Sequence, residues 1–299
     1  RLKAVWETIE RTYVTVKAPK CVYAGLTPSE RLLLSQLEIP NTELVLGNLA
    51  DLTALEAFIA LYDLQFDLTK ALHRHKRNPF LFEQYNLERE VQALLARKVS
   101  LGGGYLLFDP TEAFLAIDVN TGSASSATGN VSKVHKKVNL AAIEETLRQL
   151  ELRNIGGMVM VDLIDAESEA EKRHYEAYCR KILSERYPGI YFSGISALGI
   201  LSLTRKRVGR PLYEILTETC ECCGMGRNPS QAAQLDRLMK EALKDGRGAQ
   251  RYLVTEALFK AVEGHREILS QMEKDFDLHL EFEMETPKTT GIDSYKKLL

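Results

Sequence analysis

Hydrophobic and polar positions along this chain follow two spacings, and their alternation predicts a mixed α/β protein. Between Asn139 and Gly156, apolar Leu140, Ile143, Leu147 and Leu150 recur every three or four positions. This spacing predicts an amphipathic helix whose first residue is capped by Asn139. Short apolar runs bounded by Gly, Pro, Asp or Asn predict strands between such helices. We therefore expect a central sheet that helices cover on at least one face.

The amino-terminal third predicts a small α/β unit of its own. Residues 1–17 are interpreted as the end of a helix followed by a strand, "YVTVK". Thr27, Pro28 and Glu30 form a capping-box pattern, which predicts that a helix begins there. A strand and a further helix are expected next, over residues 43–46 and 50–61.

The rest of the chain alternates strands and helices. A hairpin is predicted from "YLLF" and "AFLAIDV", followed by a flexible polar loop, "GSASSATGN". We expect this loop to lie beside the functional site. The further predicted elements are a strand, a helix and a strand, at 158–163, 167–186 and 190–196. Residues 231–299 predict a small separate unit of helix, strand, helix and strand.

Composition bounds the class of protein. With 299 residues, 45% apolar and 27% charged, the chain can bury a substantial core and should form two or more subdomains. A formal charge of −2 argues against a protein that coats nucleic acid by bulk charge. No membrane span or signal peptide is recognisable, so we expect a cytoplasmic protein. Because the first residue is Arg, the chain is expected to be a processed product or a part of a longer protein.

Two aspartates each close a short apolar run: Asp118 in "FLAIDVNTG" and Asp162 in "GGMVMVDLIDAES". A carboxylate at the end of a buried strand is costly to desolvate unless a cation, a partner charge or hydrogen bonds compensate it. Taken alone, either one is more often a turn or helix cap than a ligand. The pair together indicates a shared hard metal ion, and so chemistry on phosphates.

Two basic clusters are candidates for RNA contact. The first is at 133–137 and the second at 205–210, and each is also compatible with an ordinary solvated face. Their position near the two aspartates favours phosphate binding. The candidate residues are Arg205, Lys206, Arg207, Lys136 and Lys137.

The five cysteines divide into two single residues and one cluster. Cys21 and Cys179 lie in apolar or helical runs and are interpreted as buried, inert thiols. Cys220, Cys222 and Cys223 precede two glycines in a turn-rich stretch, which in a reducing compartment indicates a metal site. A structural zinc site takes four ligands, so one CxxC is half a site. A second copy of the chain can supply the other half.

Four sequence blocks, in order, resemble the catalytic region of the ribonuclease E/G family. They are "GGYLLFDPTEAFLAIDVNTG", "NLAAIEETLRQLELRNIGGMVMVDLID", "ISALGILSLTRKRVGRPL" and the CxxC, between Gly102 and Gly226. The stretch "NPFLFEQYNLEREVQALLARKVSLGGG" extends the resemblance upstream to Asn78. The blocks cover some 125 residues, which makes the match specific.

The resemblance implies roles for individual residues. Asp118 and Asp162 would bind one Mg²⁺, and Asn120 would assist at the scissile phosphate. Cys220 and Cys223 would bind Zn²⁺ together with the same pair from a second subunit. The alternation of side chains makes Cys222 a bystander.

The resemblance also implies a domain plan. It consists of a remnant of an upstream domain, a partial RNase H-like subdomain, a DNase I-like catalytic subdomain, a zinc link and a small dimerisation domain. The corresponding ranges are 1–18, 19–98, 99–218, 219–227 and 228–299. The OB-type RNA-binding domain and the 5′-monophosphate pocket that family members usually carry are not recognisable.

The resulting hypothesis is a Mg²⁺-dependent endoribonuclease that hydrolyses single-stranded RNA to 5′-phosphate and 3′-hydroxyl ends, as a zinc-linked homodimer. The main alternative is a non-catalytic RNA-binding or assembly module on the same fold. A nuclease for DNA is a third possibility, because the mechanism does not require a 2′-hydroxyl.

Overall fold

The computed structural model describes most of the chain, in two compact units that comprise residues 1–85 and 86–299. Its mixed helices and strands confirm the predicted α/β class, whereas the likeness of each part to RNase H or DNase I stays a prediction. The described residues are 2–17, 19–23, 25–36, 39, 42–46, 50–62, 64, 72–74, 80–122, 131–220, 227–285 and 295–298.

In the part of the first unit that the structure describes, helices accompany a pair of parallel strands. Its core consists of buried apolar residues from the first and third helices and from the segment that directly follows the third. They are Val5, Leu55, Phe58, Tyr62 and Leu64. The elements are α1 (Leu2–Thr15), α2 (Pro28–Gln36), β1 (Leu44–Leu46), α3 (Ala50–Leu61), β2 (Leu72–Arg74) and α4 (Leu81–Gln84).

The capping box that begins α2 is confirmed. The Glu30 amide donates to Thr27 Oγ1 at 3.2 Å, and the Thr27 amide donates to Glu30 Oε2 at 2.7 Å. These reciprocal bonds satisfy two backbone donors at the helix start, and the bonds that the Thr27 amide and hydroxyl donate to the Glu30 carboxylate lower the pKa of Glu30.

Two predictions in this unit are wrong. The "YVTVK" strand does not form, because α1 continues to Thr15 and the Thr15 hydroxyl donates back to the Arg11 carbonyl oxygen at 3.1 Å. β-Branched residues lower helix propensity only slightly, so the helix can continue through Val14 and Thr15. Cys21 is exposed rather than buried, since it lies in an irregular segment outside the core.

The second unit begins with α5 (Leu87–Leu94) and is organised around a six-stranded sheet in the order β3-β4-β5-β6-β8-β7. The β5–β6 pair is parallel, and the other neighbouring pairs are antiparallel. The hairpin predicted from "YLLF" and "AFLAIDV" is confirmed as β4 and β5. The sheet and its two long helices are β3 (Lys98–Leu101), β4 (Gly104–Pro110), β5 (Phe114–Thr121), α6 (Val131–Leu152), β6 (Gly157–Asp162), α7 (Glu169–Arg186), β7 (Ile190–Ile195) and β8 (Ile200–Arg205).

The two faces of this sheet differ in chemistry. Along β5, Leu115, Ile117 and Val119 are buried against α6 and α7, and β6 contributes Val159 and Val161 to the same core. The intervening residues point to the opposite face, because successive side chains of a strand alternate. We call this second side the outer face; it carries positions 116, 118 and 120 of β5 and 158, 160 and 162 of β6. The prediction that helices cover at least one face is therefore confirmed.

The start of α6 corrects the interpretation of Asn139. The helix begins at Val131, so Asn139 lies in its interior and is fully buried instead of capping it. The preceding basic residues are compatible with a helix, and the Asn139 side chain finds its hydrogen-bond partners in the segment after β6.

The carboxy-terminal part has its own core around Leu238, Tyr252 and Leu258. The predicted helix, strand, helix and strand are present, with the second helix divided in two and an added strand at the end. The elements are α8 (Leu212–Leu216), β9 (Thr217–Thr219), β10 (Arg227–Pro229), α9 (Gln231–Asp245), β11 (Gly248–Val254), α10 (Glu256–Gly264), α11 (Arg266–Phe276), β12 (Leu278–Met284) and β13 (Tyr295–Leu298). In the described segments, none of the helices is long and apolar enough to cross a membrane.

Candidate active site

The two strand-closing aspartates are direct neighbours in the sheet. Asp118 of β5 pairs in register with Asp162 of β6, and both side chains are exposed on the outer face. Register partners on adjacent parallel strands point to the same face, and neighbouring strands lie about 4.8 Å apart. The fold thus brings together the two carboxylates that the sequence singled out.

Asn120 is joined to this pair by a hydrogen bond. Its Nδ2 donates to Asp118 Oδ2 at 2.7 Å. The two residues are separated by one position along β5, so the alternation of the strand places both on the outer face. The bond orients the Asp118 carboxylate, and the amide retains a carbonyl oxygen and a second N–H for other partners.

Asn139 fixes the segment that follows Asp162. Its Nδ2 donates to the Ile164 carbonyl oxygen at 2.8 Å, and its Oδ1 accepts from the Ile164 amide at 3.0 Å. Because Ile164 follows Asp162 by two residues, this two-bond contact ties the end of β6 to α6. The carboxylate therefore projects from a backbone held on both sides.

A glycine permits the close strand approach beside Asn120. An added Cβ on Gly104 would lie 2.3 Å from the Asn120 carbonyl oxygen and 3.0 Å from a Val138 methyl carbon. Gly104 pairs with Thr121, at the end of β5. The third glycine of the "GGG" run is thus required because the strand that carries Asn120 passes too close for a side chain.

An ion pair lies on the side of the site toward β3. Arg97 donates to both carboxylate oxygens of Asp109, at 2.5 and 2.7 Å. These bonds raise the pKa of Arg97, and the charge of Asp118 adds to that rise. In turn, the Arg97 guanidinium lowers the pKa of Asp109. The Arg97–Asp109 ion pair therefore lies within electrostatic range of Asp118.

The basic cluster after β8 lies at the other end of the sheet. Arg205 pairs with Gly157, at the start of β6, whereas Ile200 pairs with Asp162. Five residues of strand correspond to roughly 16 Å. Our expectation that Arg205, Lys206 and Arg207 lie near the aspartates is therefore wrong, because β8 runs antiparallel to β6 and carries them away.

Members of this cluster differ in how they are held. Arg205 is half-buried, and its Nη1 donates to Asn154 Oδ1 and to the Ile155 carbonyl oxygen, at 3.1 and 3.0 Å. Lys206 and Arg207 are exposed, although the backbone of Arg207 packs on a glycine turn. Arg205 thus has a structural task, and the other two are available to solvent.

The first basic cluster lies at the same end of the sheet as the aspartates. Lys136 and Lys137 are exposed on α6, about one turn before Asn139, which contacts the end of β6. Their RNA contact stays a prediction, as does that of the second cluster.

The cysteine cluster is described at one position. Cys220 is half-buried at the end of β9, while Cys222 and Cys223 lie outside the described residues, as does most of the predicted loop at 122–130. Cys179 is fully buried, and burial raises the pKa of its thiol to about 12, as expected of an inert cysteine. The zinc link stays a prediction.

The residues of the site fit magnesium better than a metal that needs many protein ligands. Among the described residues, no group of three or more His, Cys, Asp and Glu side chains converges. Mg²⁺ prefers oxygen ligands and keeps several waters, so one or two carboxylates suffice to hold it. Asp118 and Asp162 provide that set at one spot of the outer face.

Several contributors to the site were not found from the sequence. Arg97, Asp109 and Gly104 act through cross-strand neighbours, and Asn139 acts through a segment 25 positions away. Asp109 carried a weak signal, because it is a charged residue at the end of an otherwise apolar strand. Its partner and that of Asn139 depend on strand order, which the pattern of a single sequence does not provide.

Comparison with known proteins gives consistent relatives. A family model described as "Ribonuclease E/G family" matches residues 1–208. The chloroplastic ribonuclease E/G-like protein of Arabidopsis thaliana is 35% identical over 165 residues, which are 54% of this chain and 16% of that protein. Ribonuclease G of Escherichia coli K12 is 29% identical over 245 residues, which are 81% of this chain and 50% of the relative. Ribonuclease E of a Nostoc species is 30% identical over 232 residues, or 75% of this chain and 33% of the relative.

The matched relatives are longer proteins. The chain spans about half the length of ribonuclease G and a third of the Nostoc ribonuclease E.

Proposed function

This chain belongs to the ribonuclease E/G family, and we propose that it is a Mg²⁺-dependent endoribonuclease that hydrolyses single-stranded RNA. The products would carry 5′-phosphate and 3′-hydroxyl ends, and the role would be RNA processing or decay in the cytoplasm. The observation that carries the proposal is the in-register pair of Asp118 and Asp162, with Asn120 bonded to Asp118.

The two carboxylates would hold the metal ion. They lie on hydrogen-bonded neighbouring strands, so their separation is set before any ligand arrives. When bound there, Mg²⁺ would lower the pKa of a coordinated water and neutralise charge on the phosphate oxygens. Preorganised ligands avoid a reorganisation cost during the reaction.

Asn120 would position the reacting groups. Its amide is neutral, so it can contact a phosphate oxygen or the attacking water without acting as a competing base. The bond to Asp118 fixes the orientation of the amide at 2.7 Å from the carboxylate. Water, rather than the ribose 2′-hydroxyl, would then be the nucleophile, which accounts for the proposed product ends.

Oligomerisation forms a second part of the proposal. Cys220 and Cys223 would bind one Zn²⁺ together with the same two residues of a second copy, giving a homodimer with a tetrahedral S₄ site. Cys222 would take no part. Each active site is composed of residues of one chain, so the link would align RNA across the dimer.

Cleavage of matched RNA and DNA oligonucleotides tests the proposed activity. We expect cleavage of the single-stranded RNA with Mg²⁺, none with a chelator present, and product ends identified by mass spectrometry as 5′-phosphates. Binding of RNA without cleavage would contradict the enzyme and favour the RNA-binding module. Equal cleavage of both oligonucleotides would indicate a nuclease without sugar selectivity, and cyclic phosphate ends would contradict attack by water.

A further inference from the structure

A tyrosine stands beside the candidate active site on the outer face. Tyr105 of β4 pairs in register with Asn120 of β5. Directly opposite residues of an antiparallel pair have Cβ atoms about 4.5–5.5 Å apart and share a face of the sheet. Tyr105 is half-buried and lies next to Asn120 and diagonal to Asp118.

A lysine lies over the ring of this tyrosine. Lys98 Nζ is 3.8 Å from the Tyr105 ring centroid, and the lysine is exposed at the edge strand β3. Lys98 is opposite Leu107, which in turn is opposite Asp118. Two strand spacings, or roughly 10 Å, therefore separate the backbones of Lys98 and Asp118. A cation and an aromatic ring thus occur together on the strands next to the carboxylates.

We propose that Tyr105 and Lys98 form a nucleotide-binding subsite, in which a base next to the scissile phosphate stacks on Tyr105 and Lys98 contacts a flanking phosphate. The inference rests on the proposed function and deepens it, because it names residues that seat the RNA beside the metal pair. A nucleobase presents a flat π-face to the ring, and the ammonium complements the charge of the backbone.

The chemistry of the outer face favours a single strand as the occupant. Stacking on an aromatic ring requires an unpaired base, whereas the paired bases of a duplex are already stacked on their neighbours. Lys98 is on a long flexible stem, so its ammonium can leave the ring for a phosphate when the base arrives. Arg97 is held in an ion pair by Asp109, which leaves Lys98 as the cation that the subsite uses. Such a subsite accepts any base, since every base has a π-face.

Binding of RNA containing an abasic nucleotide tests this subsite. The probe is a fluorescent single-stranded RNA, intact or with one base removed at each position near the cleavage point, and anisotropy is measured without Mg²⁺. We expect removal of one particular base to weaken binding to the parent by about 5- to 150-fold, the range given for one stacked base. Tyr105→Ala should weaken binding of intact RNA by a similar factor. The affinity of this variant should not fall further when that base is removed. Tyr105→Phe should behave as the parent.

The lysine and a second tyrosine complete the test. Lys98→Ala should lower the slope of log K against log salt by about 0.7, the contribution of one phosphate contact to a single strand. Tyr13→Ala is the matched control, because Tyr13 is 74% exposed on α1, outside the sheet that carries the aspartates. It should leave binding unchanged.

The outcomes separate this inference from the proposed activity. If the parent cleaves RNA, but Tyr105→Ala still loses RNA affinity when that one base is removed, the proposed subsite is wrong and the endoribonuclease activity stands. If the parent binds RNA with the expected dependence on one base yet cleaves none, the subsite stands and the activity is wrong. Equal effects of Tyr105→Ala on intact and abasic RNA would mean that the ring serves only the packing of the sheet.

Discussion

Asp118 and Asp162 place two exposed carboxylates side by side on neighbouring strands. Among the described residues, no third His, Cys, Asp or Glu side chain joins them as a possible metal ligand. Replacing either by Asn keeps the shape of the side chain and removes one negative oxygen ligand. We expect Mg²⁺-dependent cleavage to fall by several orders of magnitude, since a metal ion supplies several kcal/mol of transition-state stabilisation. Initial rates on a labelled RNA provide the measurement.

Folding should be unaffected by these two substitutions, because neither side chain is buried. Glu112→Gln, which neutralises an exposed carboxylate in the turn before β5, is the matched control and should cleave at the parent rate. Cleavage near the parent rate by Asp118→Asn or Asp162→Asn would show that the metal site is elsewhere.

Single residues were predictable from the sequence where their signal is local. Asp118 and Asp162 end apolar runs, and the Thr27 capping box is complete within four positions. Asn139 was misinterpreted because a buried asparagine that bonds to a distant backbone has the same local pattern as a helix cap. Tyr105 gave no signal, since its position beside Asn120 depends on the register of β4 and β5.

Among the elements, the β4–β5 hairpin depends on Gly104. Gly104→Ala would place a methyl group 2.3 Å from the Asn120 carbonyl oxygen, so the strands must separate there. We expect a loss of about 1–3 kcal/mol in the free energy of unfolding, and a larger fractional loss of cleavage than of folded protein. Gly102→Ala, where an added Cβ meets nothing within 4 Å, is the control. Denaturant unfolding and cleavage rates that are identical for the two variants would contradict this explanation.

The contact between α6 and the end of β6 is a second element-scale test. Asn139→Ala would leave the Ile164 amide and carbonyl without their present partners, and an unsatisfied buried group costs about 1–3 kcal/mol. We expect a lower midpoint in urea and slower cleavage, with Asn139→Asp intermediate because it keeps the acceptor for the Ile164 amide. Asn228→Ala removes an exposed asparagine and should change neither quantity. Parent-like stability of Asn139→Ala would show that the contact is dispensable.

Whole elements were predicted well where periodicity is sustained, as in α7 and the β4–β5 hairpin. The error at α1 arose because "YVTVK" has the composition of a strand, while the Thr15 hydroxyl bonds within the helix. Strand order could not be predicted. Nothing local to the sequence indicates that β8 lies between β6 and β7, and this order moves Arg205 away from the aspartates.

At the scale of the whole molecule, the two basic clusters lie at opposite ends of the sheet. If RNA spans it, single Ala substitutions of Lys136, Lys137, Lys206 and Arg207 should each lower the salt slope of RNA binding by about 0.7, uniformly across sequences. The measurement is RNA affinity as a function of salt concentration.

Arg266→Ala, in the carboxy-terminal part, is the control for this series and should leave the slope unchanged. Arg205→Ala is expected to lower stability as well, because it removes two hydrogen bonds to the turn before β6. If only the Lys206 and Arg207 variants keep the parent salt slope, the RNA path is confined to the end of the sheet that carries the aspartates. Unchanged slopes at all four positions would assign both clusters to the solvated surface.

Assembly is tested through the cysteines. We expect one Zn²⁺ per two chains, and Cys220→Ser or Cys223→Ser should release the metal and convert dimer to monomer. Cys222→Ser is the matched control and should do neither. Elemental analysis together with the mass in solution provides the measurement. A zinc-free dimer, or one zinc in every isolated monomer, would exclude the shared site.

Insertions and deletions should act on the aspartate pair very differently depending on where they fall. The separation of Asp118 and Asp162 is set by the ladder between β5 and β6, so the number of residues that connect the two strands does not enter it. Homologous chains can therefore differ freely in length between Thr121 and Val131 and keep the same pair. A deletion of one residue within β5 or β6 before the aspartate would turn that carboxylate to the helix-covered face. Tolerance to length change is thus high between the strands and almost nil inside them.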